Sequence, residues 1–314
     1  MSTQHNTLSA DTATCNLIAK DRSDVTRAAT AASGFAARRT LGFVAALAAA
    51  PLLLGCGQAT EEDLAAEAGP STTAEEAFPG RSGEVRTALL ETADGTESIS
   101  YQLIDDYMVY QGDIVLGRVG GQFTAQSATL KTATWPGCVI PYEINPNLPN
   151  KKRVTDAINH WTSRSGVRFV ERTNQKDFIV FEDDGKGCYS YIGRRGGRQT
   201  LSLAKNCSTG STIHEIGHTV GLFHEQSRQD RDNYVTVLYD NIQSGQVSNF
   251  DKYRSGSGRD VGAFDFNSIM IYGTDFFSRN GKPTLVHKDG SLLNAQRTVL
   301  STGDLNGAAK LCGG

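Results

Sequence analysis

The 314-residue chain has no apolar run long enough to cross a bilayer as a helix. It has no long basic run either: 31 Lys and Arg against 34 Asp and Glu leave a net charge of -3. Without a basic stripe there is no electrostatic footprint for nucleic acid or for a polybasic membrane patch. Internal repeats are absent, which argues against a solenoid. Cysteine is sparse, six in all. By length the chain holds one or two domains. The stretch from Trp135 onward, about 180 residues, can bury a sizeable core unaided.

What the N-terminus does contain is an export signal. Arg38 and Arg39 precede an apolar stretch, Leu41 to Leu54, too short to span. It ends in Leu53-Leu54-Gly55-Cys56, which resembles a bacterial lipobox, whose cysteine thiol is lipidated. The arginine pair also leaves a twin-arginine route open. The segment before Arg38 is long for a signal, so the true start could lie further in. Cys15 precedes the signal core and is expected to be removed with it. Cys138, Cys188, Cys207 and Cys312 remain, an even number in an exported chain. They read as two disulfides with three connectivities open.

The stretch richest in chemistry is His214-Glu-Ile-Gly-His218-Thr-Val-Gly221-Leu-Phe-His224. Its pattern is H-E-x-x-H-x-x-G-x-x-H. Residues four apart on a helix share a face, so His214 and His218 can bind one Zn²⁺. Gly221 tolerates positive φ and lets the helix end in a sharp turn. That turn brings His224 back as a third ligand. Glu215 lies beside the metal and is placed to move protons to and from water there. Three of the six histidines of the chain are used in this way.

Downstream stands Ser268-Ile-Met270-Ile-Tyr272-Gly. The extended histidine motif followed by a methionine turn marks the metzincins. Within that clan the chain closely resembles the astacin family. The resemblance is carried by Glu225 after the third histidine, the run from Glu225 through Arg228 and Arg231 to Tyr234-Val, and Tyr272 two residues past Met270. Trp135-Pro-Gly-Cys-Val-Ile-Pro-Tyr142, Gly187-Cys-Tyr-Ser-Tyr-Ile-Gly193 and Ser248-Asn-Phe250 also match in order and spacing. It covers about residues 126–314.

The resemblance implies an α+β, two-lobed zincin fold. A twisted N-terminal sheet with two helices faces an irregular C-terminal lobe across an active-site cleft. It implies one zinc per chain, an endopeptidase acting on proteins or peptides, and a monomer. Met270 would floor the metal site. Tyr272 would contact zinc and then stabilise the oxyanion. Glu225 would pair with a new amino terminus after activation, and Lys288 would give an S1′ pocket a preference for acidic residues. The family's disulfide pattern implies Cys188–Cys207. Its other pair would need a cysteine where Gly166 stands, so Cys138–Cys312 is inferred. Tyr110-Gln-Gly-Asp113-Ile resembles the pro-segment motif F-x-G-D, with Asp113 as an inhibitory zinc ligand.

The chain thus divides into a signal (1–56), a linker with an inhibitory pro-segment (57–125), and a catalytic domain (126–314), with the activating cut near Ala125-Gln126-Ser127. The expected product is an exported enzyme, membrane-held as a lipoprotein precursor and released on cutting. The rival readings are a catalytically silent binding lipoprotein and a zinc hydrolase of non-peptide bonds. Strands are expected at Ser98–Leu103, Tyr107–Tyr110, Val167–Val170 and Phe178–Phe181. Leu201–Leu203 is expected as the strand edging the cleft. Lys151–Ser163 reads as a helix burying Val154, Ala157, Ile158 and Trp161, with His160 at the surface.

Overall fold

Alternating side chains build the first part of the sheet. In a computed structural model describing residues 76–92, 95–119, 129–131, 133–253 and 260–313, strands β1 (Glu84–Thr92) and β2 (Gly95–Ile104) form a long antiparallel hairpin. Strands β3 (Tyr107–Tyr110) and β4 (Ile114–Arg118) continue the meander, with a bulge between Met108 and Val109. The period of two decides what each face does. Ile99, Tyr101, Met108, Tyr110, Ile114 and Leu116 bury with Ile192, and Phe223 packs against them. From the opposite face Ile104, Tyr107, Val109 and Val115 bury with Phe78 and Tyr189. The signal, Cys56, most of the linker and the cut near Ala125 lie outside the described residues.

The rest of the sheet is mixed. Its strands are β5 (Thr129–Lys131), β6 (Val139–Ile144), β7 (Arg168–Glu171), β8 (Phe178–Glu182), β9 (Cys188–Tyr191) and β10 (Arg198–Leu203). Their order is β5-β1-β2-β3-β4-β9-β10-β8-β6-β7. Leu201–Leu203 is therefore not an edge, contrary to the sequence expectation. Strand β9, which comes from the loop between Cys188 and Cys207, pairs antiparallel with it, Leu201 opposite Ser190. Strand β4 then covers β9 in parallel, Ile114 opposite Ser190 and Val115 opposite Tyr191.

Helix α1 (Lys152–Arg164) buries Val154, Ala157, Ile158 and Trp161. Burying Val154 and Ile158 contributes about 1.5–3 kcal/mol each. The Trp161 indole donates to the Ile213 carbonyl at 3.0 Å, which ties α1 to α2 (Thr209–Val220). His160 corrects the expectation of a surface residue, for it is only 6% exposed. It flanks the apolar stripe, and Leu300 donates its N–H to His160 Nε2 at 3.1 Å. The chain leading to α3 (Thr302–Leu311) covers it.

The C-terminal lobe holds little regular structure: a two-stranded sheet of β11 (Val235–Val237) and β12 (Leu285–His287), short 3-10 turns, and α3. Its core gathers Phe250, Ile271, Tyr272, Phe276, Phe277 and Leu285. Cys138 is bonded to Cys312, joining the start of β6 to the end of α3. Cys188 is bonded to Cys207. Bridges closing loops of these lengths contribute on the order of 3–5 kcal/mol each.

Candidate metal centre

Helix α2 starts at a capping box. The Ser208 hydroxyl accepts from Ser211 N at 3.0 Å, and Ser211 Oγ accepts from Ser208 N at 3.2 Å. Its interior carries glycine, histidine and threonine, which are weak helix formers. Burial compensates, since Gly210 through Val220 are all buried. Gly221 ends the helix at φ 122°, and its N–H returns to the carbonyls of Gly217 and His218. The chain then turns, and His224 comes back over His214 and His218, with ring centroids 4.7–5.3 Å apart.

Each Nδ1 is held. His214 Nδ1 bonds the Ile269 carbonyl at 2.7 Å, and His218 Nδ1 bonds the Leu222 carbonyl at 2.8 Å. His224 Nδ1 lies 3.2 Å from Gln111 Oε1. These oxygens can only accept, so each ring carries its proton on Nδ1 and turns an Nε2 lone pair inward. All three Nε2 atoms face the Asp113 carboxylate: His214 and His224 stand 3.2 Å from Oδ2, and His218 stands 3.3 Å from Oδ1. One ligand atom from each of the four residues lies within 4.8 Å of the others.

The donor set is three imidazoles and a carboxylate, all buried, which fits tetrahedral zinc. His218 Nε2 and Asp113 Oδ1 are buried without a hydrogen bond, and a cation is the partner that satisfies both. Burial pushes His214 down to about 3 and His224 down to about 4, so both stay neutral, as ligands must. Burial raises the Asp113 carboxyl, while the facing His224, His218 and His214 lower it, for a net shift below the ordinary carboxylate range.

Glu215 is buried in α2, next in the chain to His214. Met270 is 1% exposed, and its sulfur stands 2.6 Å from where a Cβ on Gly217 would be. Only glycine admits it there. Two groups fix the methionine turn. Asp304 of α3 accepts from Ser268 Oγ at 2.6 Å and Ile269 N at 3.0 Å, and the Met270 carbonyl accepts from Glu225 N at 3.0 Å. The Tyr272 ring lies 4.7 Å from that of His224, tilted by 59°, and Gln226 Oε1 accepts the Tyr272 N–H at 3.0 Å. Its hydroxyl donates to the Gln111 carbonyl at 2.6 Å. Glu225 Oε1 accepts from Asp265 N at 2.8 Å, and burial pushes this carboxyl up to about 7.

The structure thus brings His214, His218, His224, Asp113, Met270 and Tyr272 together. Lys288 lies just past β12, exposed on a cavity of about 380 Å³ lined also by Arg231, Asp232, Asp251 and Lys252. Sequence reading missed Gln111, Gln226 and Asp304. Gln111 sits inside the Tyr-Gln-Gly-Asp run and could have been found there; the other two carry no local signal.

The sequence model of the astacin family, a family of peptidases, matches residues 127–311. Human tolloid-like protein 1 is 40% identical over 235 residues, which cover 67% of this chain and 23% of that protein. Bone morphogenetic protein 1 of Xenopus laevis is 42% identical over 187 residues, covering 56% of this chain and 26% of that one. The chain spans about a quarter of the length of these relatives. Among solved structures, high choriolytic enzyme 1, a hatching enzyme zinc-protease from the medaka Oryzias latipes, matches with a TM-score of 0.53 and 32% identity, covering 58% of this chain and 94% of that one. Matched over more than half its length, with the histidine helix and methionine turn in place, the chain belongs to the astacin family.

Proposed function

We propose that this chain is the latent precursor of a zinc endopeptidase that hydrolyses peptide bonds in proteins. The observation that carries the reading is the Asp113 carboxylate facing all three Nε2 atoms of the histidine motif. His214, His218 and His224 would hold the zinc, which supplies a Lewis acid. Glu215 takes the proton of the attacking water and returns it to the leaving amine. Tyr272, once its hydroxyl is released by Gln111, donates to the oxyanion. Asp113 occupies the place the reaction needs, which makes the uncut chain latent. Intact Glu215 and an intact ligand set run against a silent binding protein.

Activation is a cut near Ala125–Ser127. It severs the chain between Asp113 and the histidines, so that the segment carrying Asp113 can leave, and creates an ammonium that pairs with the buried Glu225 carboxylate. If Cys56 is lipidated, the same cut releases the enzyme from its membrane anchor. Export agrees with the two disulfides. Lys288 is proposed to bias the residue after the scissile bond toward Asp or Glu.

The test is casein hydrolysis by the purified chain, uncut and cut, with and without a chelator, alongside metal analysis. One zinc per chain, low activity uncut and chelator-sensitive activity once the cut segment has left are expected. Asp113→Ala should raise the uncut activity about tenfold or more, within the range that access to a catalytic group commands. A cut, zinc-loaded domain stripped of its pro-segment that leaves casein intact would refute the endopeptidase, and unchanged latency in Asp113→Ala would refute the aspartate lock.

A further inference from the structure

Strands β1–β4 hold the rest of the molecule at places that do not involve Asp113. One is the sheet itself, where Ile114 and Val115 pair with Ser190 and Tyr191. On the same side Phe78 N donates to Lys186 O at 2.6 Å. The Phe78 ring stacks 6.4 Å from Tyr189. This attachment is to the N-terminal lobe. At the far edge of the meander, β5 pairs with β1, Leu130 opposite Leu90.

The other attachment is polar and reaches the C-terminal lobe. Gln102 of β2 is 1% exposed and meets Gln246 and Asn249, themselves 5% and 1% exposed. Gln102 Nε2 donates to Gln246 Oε1 at 2.7 Å and to Asn249 Oδ1 at 3.4 Å. Asn249 Nδ2 donates to the same Gln246 oxygen at 2.7 Å. Gln246 Nε2 donates to the Arg81 carbonyl at 3.0 Å, and Gln102 Oε1 accepts from Gly83 N at 3.1 Å. Beside them the Ser100 side chain bonds Asp251. Three side-chain amides from two parts of the chain answer one another away from water. Losing Gln102 or Gln246 leaves buried amide groups of the remaining side chains short of a hydrogen bond.

A cut between residues 120 and 128 breaks none of these contacts. Attachments to two lobes also reinforce each other, because either one keeps the other at high local concentration. We infer that the pro-segment, residues 76–119, stays bound to the mature domain after the activating cut as an inhibitor in trans, with Gln102 between Gln246 and Asn249 as its specific lock. Activation then takes two steps, cutting and dissociation. This rests on the reading of 76–119 as an inhibitory pro-segment.

The experiment uses the full chain with a recognition sequence for a site-specific protease placed within residues 120–128. After cutting, size-exclusion chromatography reads retention and a fluorogenic peptide reads activity, both across a dilution series. Wild type is expected to elute as one species at micromolar concentration and to gain activity on dilution. Gln102→Ala and Gln246→Ala should each raise the dissociation concentration about tenfold, as expected for a lost buried hydrogen bond. The double variant should lose less than the sum of the two, because they share one contact. Should Gln102→Ala fail to fold, Asn249→Ala tests the same contact from the other side. Immediate separation of the cut wild-type fragments, or equal dissociation of wild type and Gln102→Ala, overturns the inference. Co-elution does not depend on catalysis. A stripped domain without peptidase activity would therefore sink the proposed function while leaving the retention result readable.

Discussion

The Tyr272 hydroxyl donates to the Gln111 carbonyl at 2.6 Å, and the side chain of that same Gln111 reaches His224 Nδ1 at 3.2 Å. One residue of the proposed pro-segment thus engages both the tyrosine proposed to bind the oxyanion and a candidate metal ligand. It does so because the loop folds back on itself, with φ of 48° at Gln111 and 81° at Gly112. Under the proposed mechanism the hydroxyl needed for developing charge is already engaged, so the loop would block catalysis in a second way besides the Asp113 carboxylate.

Gly112 makes that turn and lies close against the C-terminal lobe. A Cβ there would stand 2.6 Å from Phe277 Cζ and 3.3 Å from the Tyr272 hydroxyl. Positive φ adds strain for any side chain. Gly112→Ala is therefore expected to lift the loop and raise peptide hydrolysis by the uncut chain, by about tenfold if it frees Tyr272. The mature domain, which lacks residue 112, should be unaffected. Equal uncut rates for variant and wild type would mean the loop geometry does not hold the latency.

Glu215 can be separated from the metal it lies beside. Glu215→Gln keeps the volume and removes the base. The variant should bind one zinc with wild-type stoichiometry and lose roughly 10²- to 10⁴-fold in kcat, the usual contribution of a general base. Metal analysis and steady-state rates on the cut enzyme check this together. A rate within about tenfold of wild type assigns the proton transfer elsewhere.

His160 gives a pH dependence unconnected with catalysis. Burial, and then the Arg164 charge, push its imidazole from 6.5 down to about 4. Its Nε2 accepts from Leu300 N, so the folded state needs the neutral ring. A depressed base leaves stability intact above the unfolded pKa and costs stability as pH falls from about 6.5 toward about 4. The loss is on the order of 2–3 kcal/mol when fully developed. His160→Gln keeps an acceptor that does not titrate. Denaturant unfolding at pH 7 and pH 4 should show wild type losing more than the variant, and parallel losses would contradict this.

How far the sequence carried depended on the range of each signal. The histidine helix was legible because its spacing and the following glycine are local, and so was the buried face of α1 at Val154, Ala157, Ile158 and Trp161. The pairing of β4 on β9 was not, for it joins residues 114–115 to 190–191 and no local pattern encodes that register. The same gap made Leu201–Leu203 look like an edge. His160 reads as polar and exposed until α3 and its leading chain cover it. Gln102 is one polar residue in an alternating strand, and only the partners Gln246 and Asn249, far along the chain, give it meaning.

Lys288 offers the sharpest test of substrate preference. Its backbone N–H bonds the Tyr234 carbonyl at 3.0 Å, which fixes its place just past β12. In the cavity it lines, Arg231 and Lys252 already pair with Asp232, at 3.1 and 2.5 Å. Among the described residues no carboxylate forms an ion pair with Lys288, so its charge is available to a ligand. An exposed cation contributes modestly, and acidic residues after the scissile bond should be enriched about two- to fivefold. The bias should shrink as salt rises, because exposed charges are screened. Lys288→Glu should remove or reverse it without changing zinc content. A peptide-library profile that is the same for wild type and Lys288→Glu at low salt would place the specificity pocket elsewhere.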